Sequence, residues 1–416
     1  MSRLLTRRSF LQNTVAASLG ILSHFNTFAS SKLGRNKITD VKIMLLQGPG
    51  RSYTLVRIDS DSGHSGIGEA YGSPGVGVKE GIVALKPLLI GKDPLDIEVI
   101  YAMADPRRTD GSAHMLLRAM SGIEMALWDL AGHILSQPVA KLLGGRFRDK
   151  IRMYDHAAPG DMLDKRSCRE WAERVKADPS GFTAHKFGFP RTTPATDRAR
   201  DLANRILTQK ELDQARRGFE NCREALGWEH DILVHCHWEY DVRTAIQIAE
   251  AVAPIKPFWL EDPLVIDYSE SWKRLTESSP VPICTGENLA RREGFRDFII
   301  NSAIDIAHPD LRNAGGFLET KRIADLAHIW GIPMATHNTG SLICTLATAQ
   351  WAGSIRDFTV SETITGKGGW MDQVVLCDTP PIRDGCITLT DKPGIGVELN
   401  PDVVRAHLAE GEQWWG

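Results

Sequence analysis

Two imidazoles stand two residues apart in Ile232-Leu233-Val234-His235-Cys236-His237-Trp238-Glu239. The stretch reads as an apolar strand that runs into polar residues. Side chains alternate along a strand, so Leu233, His235 and His237 share one face and Val234 and Cys236 the other. Such a pair could supply a metal ligand and an acid or base. Two satisfied histidines at a strand end would give the same pattern. Further on, Glu261 closes Phe258-Trp259-Leu260 and Glu287 follows Cys284-Thr285-Gly286. Two carboxylates in one confined site repel unless a cation or a proton joins them. Oxygen donors of this kind suit Mg²⁺ or Mn²⁺. Lys186, Asp310 and His337 also stand just past short apolar runs.

The elements that could bring these residues together repeat from about residue 150 to 375. Apolar strands near 151–154, 182–187, 232–237, 258–261, 282–287, 304–307 and 333–337 alternate with amphipathic helices near 166–176, 195–226, 242–252, 268–278, 292–301 and 315–330. Strand–helix units repeated in this way predict a parallel sheet. Seven or eight of them predict a closed β/α barrel, whose active site lies at the carboxyl ends of the strands. Ahead of the barrel, residues 38 to about 150 read differently. Leu55–Asp59 and Gly66–Ala70 form a hairpin, and the Gly-rich Tyr71–Gly77 stretch is a candidate lid. Helical spacing covers 78–89 and 115–143, broken at Gln137-Pro138 and ended by Gly144-Gly145.

Composition narrows the class. Of 416 residues, 42% are hydrophobic and 24% charged, the profile of a globular protein. A formal net charge of -3 gives no electrostatic case for nucleic acid or an anionic membrane. Seven cysteines without a CxxC pair do not make a disulfide scaffold, and Cys236, Cys284 and Cys344 read as buried thiols. The first thirty residues differ from the rest. Thr6-Arg7-Arg8-Ser9-Phe10-Leu11-Gln12 precedes an apolar run from Val15 to Leu22 that is too short to span a bilayer. This predicts a twin-arginine export signal over residues 1–30 and a periplasmic protein; a chance Arg-Arg pair is the alternative. That route carries folded proteins, which suits a metal site assembled before export.

In order along the chain stand Gly66-Ile67-Gly68-Glu69, Ile123 to Asp129, Leu260-Glu261-Asp262-Pro263, Gly286-Glu287-Asn288, His308-Pro309-Asp310, Asn313-Ala314-Gly315-Gly316, Thr336-His337-Asn338 and Lys392 to Gly396. As a set these motifs resemble the enolase superfamily in its mandelate racemase-like branch, and within it acid-sugar dehydratases of the galactonate type. The resemblance runs from about residue 38 to 400. It implies an α/β fold, a modified TIM (β/α)7β barrel over 151–384. An α+β capping domain at 38–150 would be completed by about 385–416. It further implies that Glu261 and Glu287 are metal ligands and that Asp310 orients His337 as the general base. His237 would be the acid for the departing hydroxyl, and Glu362 an acid that hydrogen-bonds the enediolate. Lys186, His185, Glu239 and Asn288 are expected to meet the substrate, and Lys186 also matches the first lysine of a second-strand Lys-x-Lys.

There are two departures. The third-strand ligand of the superfamily is an aspartate, and here it is His235. A neutral imidazole removes a negative charge and adds a nitrogen donor, which shifts preference from the family's Mg²⁺ towards Mn²⁺, Fe²⁺ or Zn²⁺. Gly188 stands where the second lysine would be, which removes most support for a two-base racemase. The expected activity is metal-dependent β-elimination of water from a sugar acid. A cycloisomerase or a lyase on uronic-acid saccharides, and a non-catalytic sugar-acid binding protein, stay open. The expected partner is a small sugar acid, with no nucleic acid and no membrane, in a homo-oligomer.

Overall fold

The computed structural model describes residues 36–48, 51–72, 77–105, 113–188, 206–238, 240–377 and 380–415. The expected signal at 1–30 and Glu239 lie outside the described residues. So do 73–76 of the Gly-rich stretch.

The N-terminal unit is an antiparallel sheet on a helix layer. Strand β1 (Ile38–Gly48) pairs with β2 (Arg51–Ser60), and β2 with β3 (Ser65–Ala70), in the order β1-β2-β3. Helices α1 (Val78–Leu89), α2 (Ile97–Met103) and α3 (Ala113–Leu135) cover one face. Val56, Ile58, Ile82, Ile100, Leu117, Ile123 and Leu127 form a common core there. The approach of β3 to α3 depends on glycine: a Cβ at Gly66 would lie 2.2 Å from the Ala126 carbonyl oxygen. Short helix α4 (Val139–Leu142) follows Pro138.

The barrel has eight parallel strands: β4 (Lys150–Tyr154), β5 (Ala184–Gly188), β6 (Asp231–His235), β7 (Trp259–Glu261), β8 (Ile283–Thr285), β9 (Ile306–Ala307), β10 (Met334–Thr336) and β11 (Phe358–Glu362). A parallel bridge between Asp155 and His185 closes the ring. Helices α5 (Lys165–Lys176), α6 (Gln209–Leu226), α7 (Val242–Val252), α8 (Glu270–Ser278), α9 (Arg291–Ile300), α10 (Leu311–Ala314), α11 (Gly316–Ile329) and α12 (Leu342–Gly353) fill the seven crossovers. The architecture is the modified (β/α)7β barrel with an N-terminal α+β cap. Helix α6 starts at Gln209, later than the expected 195, where Thr208 and Glu211 form a capping box; 189–205 lie outside the described residues.

The C-terminal segment serves both units. Hairpin β12 (Ile382–Arg383) and β13 (Cys386–Thr388) adds antiparallel to β4 and spans the boundary expected at about 385. Beyond it, Val139 N–H donates to the Gly394 carbonyl, and α13 (Pro401–Ala406) leads to Ala409, whose N–H donates to the Leu45 carbonyl. Among the described residues, no helix is long and apolar enough to cross a membrane.

Candidate active site and metal centre

One side chain per strand plugs the barrel interior: Tyr154, Ala184, Leu233, Trp259, Cys284, Ile306, Ala335 and Val360. The residue two further on leaves the strand on the same side. Those residues are His156, Lys186, His235, Glu261, Gly286, His308, His337 and Glu362. Seven are polar, and Gly286, in a left-handed conformation (φ 140), turns the chain so that Glu287 enters next. The apolar layer is therefore the floor of the polar cluster.

On one side stands a dyad. His337 Nδ1 donates to Asp310 Oδ2 at 2.8 Å. Asp310 in turn accepts at Oδ1 from the Arg312 N–H at 2.7 Å and at Oδ2 from Arg312 Nη2 at 2.8 Å. Arg312 Nη1 reaches out of the barrel to Glu69 Oε1 of β3 at 3.1 Å, and Ser341 Oγ donates to Glu69 Oε2 at 2.5 Å. Burial works against the Asp310 charge, but Arg312 and His337 hold its carboxyl far below the usual range. The open nitrogen of the dyad, His337 Nε2, lies 3.6 Å from Glu287 Oε2 and 3.9 Å from Glu362 Oε2. Burial disfavours imidazolium, yet Glu287, Glu362 and Asp310 together push the His337 pKa up to about 9.

Opposite the dyad, Lys186 Nζ contacts Glu261 Oε1 at 2.8 Å and Glu362 Oε1 at 3.0 Å. Burial opposes the Glu261 charge, but Lys186, His308 and His235 hold its carboxyl well below the usual range. Glu362 also accepts from Tyr154 Oη at 2.9 Å and the Asn338 N–H at 3.1 Å, and it is hydrogen-bonded to His156. Beneath them, His308 is hydrogen-bonded to Tyr154 Oη at 2.8 Å, and burial pulls its pKa down to about 4.

Beside Lys186, His235 Nδ1 is 3.0 Å from Glu261 Oε1. Ligand atoms of His235, Glu261, Asp262 and Glu287 all lie within 4.8 Å of one another. Around an ion with donors at about 2.1 Å, opposite donors stand about 4.2 Å apart, so this set fits one divalent cation with small adjustments. His237 is exposed at the rim in a left-handed conformation (φ 66), its ring centroid 4.9 Å from that of His235. Asn288 Nδ2 donates to Glu287 Oε1 at 3.4 Å.

The structure corrects one expectation. His185 does not face the site. Alternation on β5 turns it to the outer side of the barrel, where it is fully buried. There it is hydrogen-bonded to Asp155 at 2.6 Å and to His230 at 2.9 Å, edge-on to Trp171. His156, His308 and Asp262 are neighbours of the site that the strand-end reading missed. The step of two from each interior plug residue would have found the first two.

Comparisons with known proteins agree with this geometry. A family model described as enolase C-terminal domain-like matches residues 167–403. The mandelate racemase/muconate lactonizing enzyme N-terminal domain model matches 40–144. D-xylonate dehydratase of Haloferax volcanii is 36% identical over 378 residues, covering 90% of each chain. D-galactarolactone cycloisomerase of Agrobacterium fabrum is 29% identical over 367 residues, covering 85% of this chain and 90% of its own. The crystal structure of a mandelate racemase/muconate lactonizing enzyme-like protein from Rubrobacter xylanophilus superposes with a TM-score of 0.84 at 31% identity, covering 92% of this chain and all of that one.

Proposed function

The chain belongs to the enolase superfamily, in its mandelate racemase/muconate lactonizing enzyme branch, and from that premise we propose that it is a metal-dependent sugar-acid dehydratase. The observation that carries this reading is the opposition of two sets of groups across one small space. The Asp310-held His337 stands on one side; Lys186, His235 and Glu261 stand on the other, with His237 at the rim.

In this reading Asp310 keeps Nδ1 of His337 protonated, so Nε2 is the nitrogen that takes the proton α to the substrate carboxylate. A divalent ion held by His235, Glu261 and Glu287 would supply positive charge for the developing enediolate and, by neutralising Glu287, bring the His337 pKa down towards neutrality. Mg²⁺ is the family's ion; the imidazole favours Mn²⁺, Fe²⁺ or Zn²⁺. Lys186, held between Glu261 and Glu362, presents its ammonium to the substrate carboxylate; Glu362 donates a hydrogen bond to the enediolate only in its protonated form, since an ionised carboxylate accepts alone. His237 gives a proton to the departing β-hydroxyl, and the enol product tautomerises to a 2-keto-3-deoxy acid.

The test is to incubate the chain, with Mg²⁺ or Mn²⁺, with D-xylonate and other five- and six-carbon aldonic acids, and to read the 2-keto-3-deoxy acid. His337→Asn should abolish turnover. No product from any of them with either metal would overturn the reading. The Agrobacterium relative, a lactone cycloisomerase by name, favours a second one, cycloisomerisation, in which the group eliminated stays within the product. The same proton is removed in both, and NMR of the product separates them. Export by the twin-arginine route and a homo-oligomeric assembly belong to the same proposal. Fractionation of cells making the chain or its Arg7→Lys/Arg8→Lys variant tests the first, and light scattering tests the second.

A further inference from the structure

We propose that Asp262 is itself a metal ligand, so that the centre is His235, Glu261, Asp262 and Glu287, not a three-residue set. This rests on the reading of the site as a divalent-metal centre. Two observations beyond the clustering of acids point to it.

First, Asp262 is fully buried with one oxygen unused. Thr285 Oγ1 donates to Oδ1, whereas Oδ2 has no hydrogen-bond partner among the described residues. A buried polar atom without a partner costs about 1–3 kcal/mol, and more when the group is charged. The neighbouring ligand atoms within 4.8 Å include those of two more carboxylates, Glu261 and Glu287. Nothing in that set except His235 could offer Oδ2 a proton. A shared cation would satisfy Oδ2 and offset the repulsion of three acids together.

Second, the backbone departs from the strand at this residue. Asp262 follows the last residue of β7 and would point away from Glu261 if the strand continued. Instead it is left-handed (φ 48), a conformation that costs a non-glycine residue roughly 1–2 kcal/mol. The turn is held on both sides. Asp262 N–H donates to the Cys284 carbonyl at 3.0 Å, and its own carbonyl accepts from the Trp238 N–H at 2.5 Å. The result is that two consecutive carboxylates reach the same point.

Charge accounts for why this chain would use a second acid there. His235 stands at the third-strand position, and with two glutamates it makes a set of charge −2. Asp262 brings the set to −3, as three carboxylates would, while keeping one nitrogen donor. Such a set favours Mn²⁺, Fe²⁺ or Zn²⁺ over Mg²⁺.

The experiment titrates metal-stripped protein with Mn²⁺ by calorimetry and counts bound metal by elemental analysis, for the wild type, Asp262→Asn and Glu261→Gln. We expect one Mn²⁺ per chain in the wild type. In Asp262→Asn the affinity should fall about 100-fold or more, beyond the usual effect of losing an outer partner. Affinity within tenfold of wild type in Asp262→Asn would overturn the proposal and leave the metal centre standing as His235, Glu261 and Glu287. No Mn²⁺ in the wild type would overturn both. Should Asp262→Asn fail to fold, Asp262→Glu keeps the charge and moves the carboxylate by one methylene. A ligand so moved changes Mn²⁺ affinity at least tenfold; unchanged affinity would mean that Asp262 only anchors Thr285.

Discussion

Asp310→Asn should nearly silence the enzyme while leaving it folded. The carboxylate accepts four bonds: Oδ1 from the Arg312 N–H (2.7 Å) and Nε (3.2 Å), Oδ2 from Arg312 Nη2 (2.8 Å) and His337 Nδ1 (2.8 Å). An amide has one oxygen. Placing it at Oδ1 satisfies two Arg312 donors and sets the NH₂ against Nη2 and His337. The other orientation sets the NH₂ against both donors at Oδ1. The first has only one Arg312 donor opposed and is preferred. The NH₂ then donates to Nδ1, so the ring's proton moves to Nε2, the nitrogen proposed as the base. Loss of the correct tautomer in a comparable acid–histidine pair costs about 10⁴ in kcat, or about 5.4 kcal/mol of barrier. The assay is kcat on an accepted sugar acid, with C2 proton exchange in D₂O as a separate reading of the abstraction step. A folded Asp310→Asn with kcat within tenfold of wild type would refute the assignment of the dyad.

Other outcomes follow from the same geometry. Arg312→Met removes the cation between Glu69 and Asp310, all three nearly inaccessible, and should cost about 3–5 kcal/mol at pH 7. Wild-type Asp310, whose folded pKa is depressed, contributes stability above the unfolded value near 4 that is lost as pH falls through the folded value. Carboxylates left without Arg312 prefer the proton when folded, so the variant's deficit should be smaller at pH 4.5 than at pH 7; equal deficits in urea melts at both would contradict this. Gly316→Ala places a Cβ 2.1 Å from Glu124 Oε2 at a φ of 84, and should destabilise by about 3 kcal/mol or more in the same melts. Chelation should lower the melting temperature, and Mn²⁺ at about 100 times its Kd should return about 2.7 kcal/mol. A melting curve indifferent to both would argue against a structural contribution from the ion.

The barrel was legible because its signals are periodic. Short apolar runs recurred at even spacing, and each ended in a residue with a chemical handle. Lys186, His235, Glu261, Asp310, His337 and Glu362 meet because a closed barrel brings all strand ends to one rim. What was missed lay one step off that signal. His185 is adjacent to Lys186, and only the strand's alternation separates an interior ammonium from an imidazole in the outer layer. Asp262 was the converse: a neighbour that alternation would send outward and a left-handed turn brings back. Backbone torsions of this kind leave no trace in hydrophobic pattern. The Glu69–Arg312 contact joins residues 243 apart in the chain, which no local spacing could reveal.

That contact has a consequence for recombination. His337, the proposed base, is braced by Asp310, Asp310 by Arg312, and Arg312 by a carboxylate that belongs to the N-terminal sheet. The two units are thus not interchangeable parts. A hybrid that takes its first 150 residues from a relative with a different group at position 69 would leave a buried guanidinium half-matched, directly behind the His337–Asp310 dyad. Grafts aimed at a new substrate should therefore exchange loops above the rim and carry Glu69, Arg312 and Ser341 as one inherited unit.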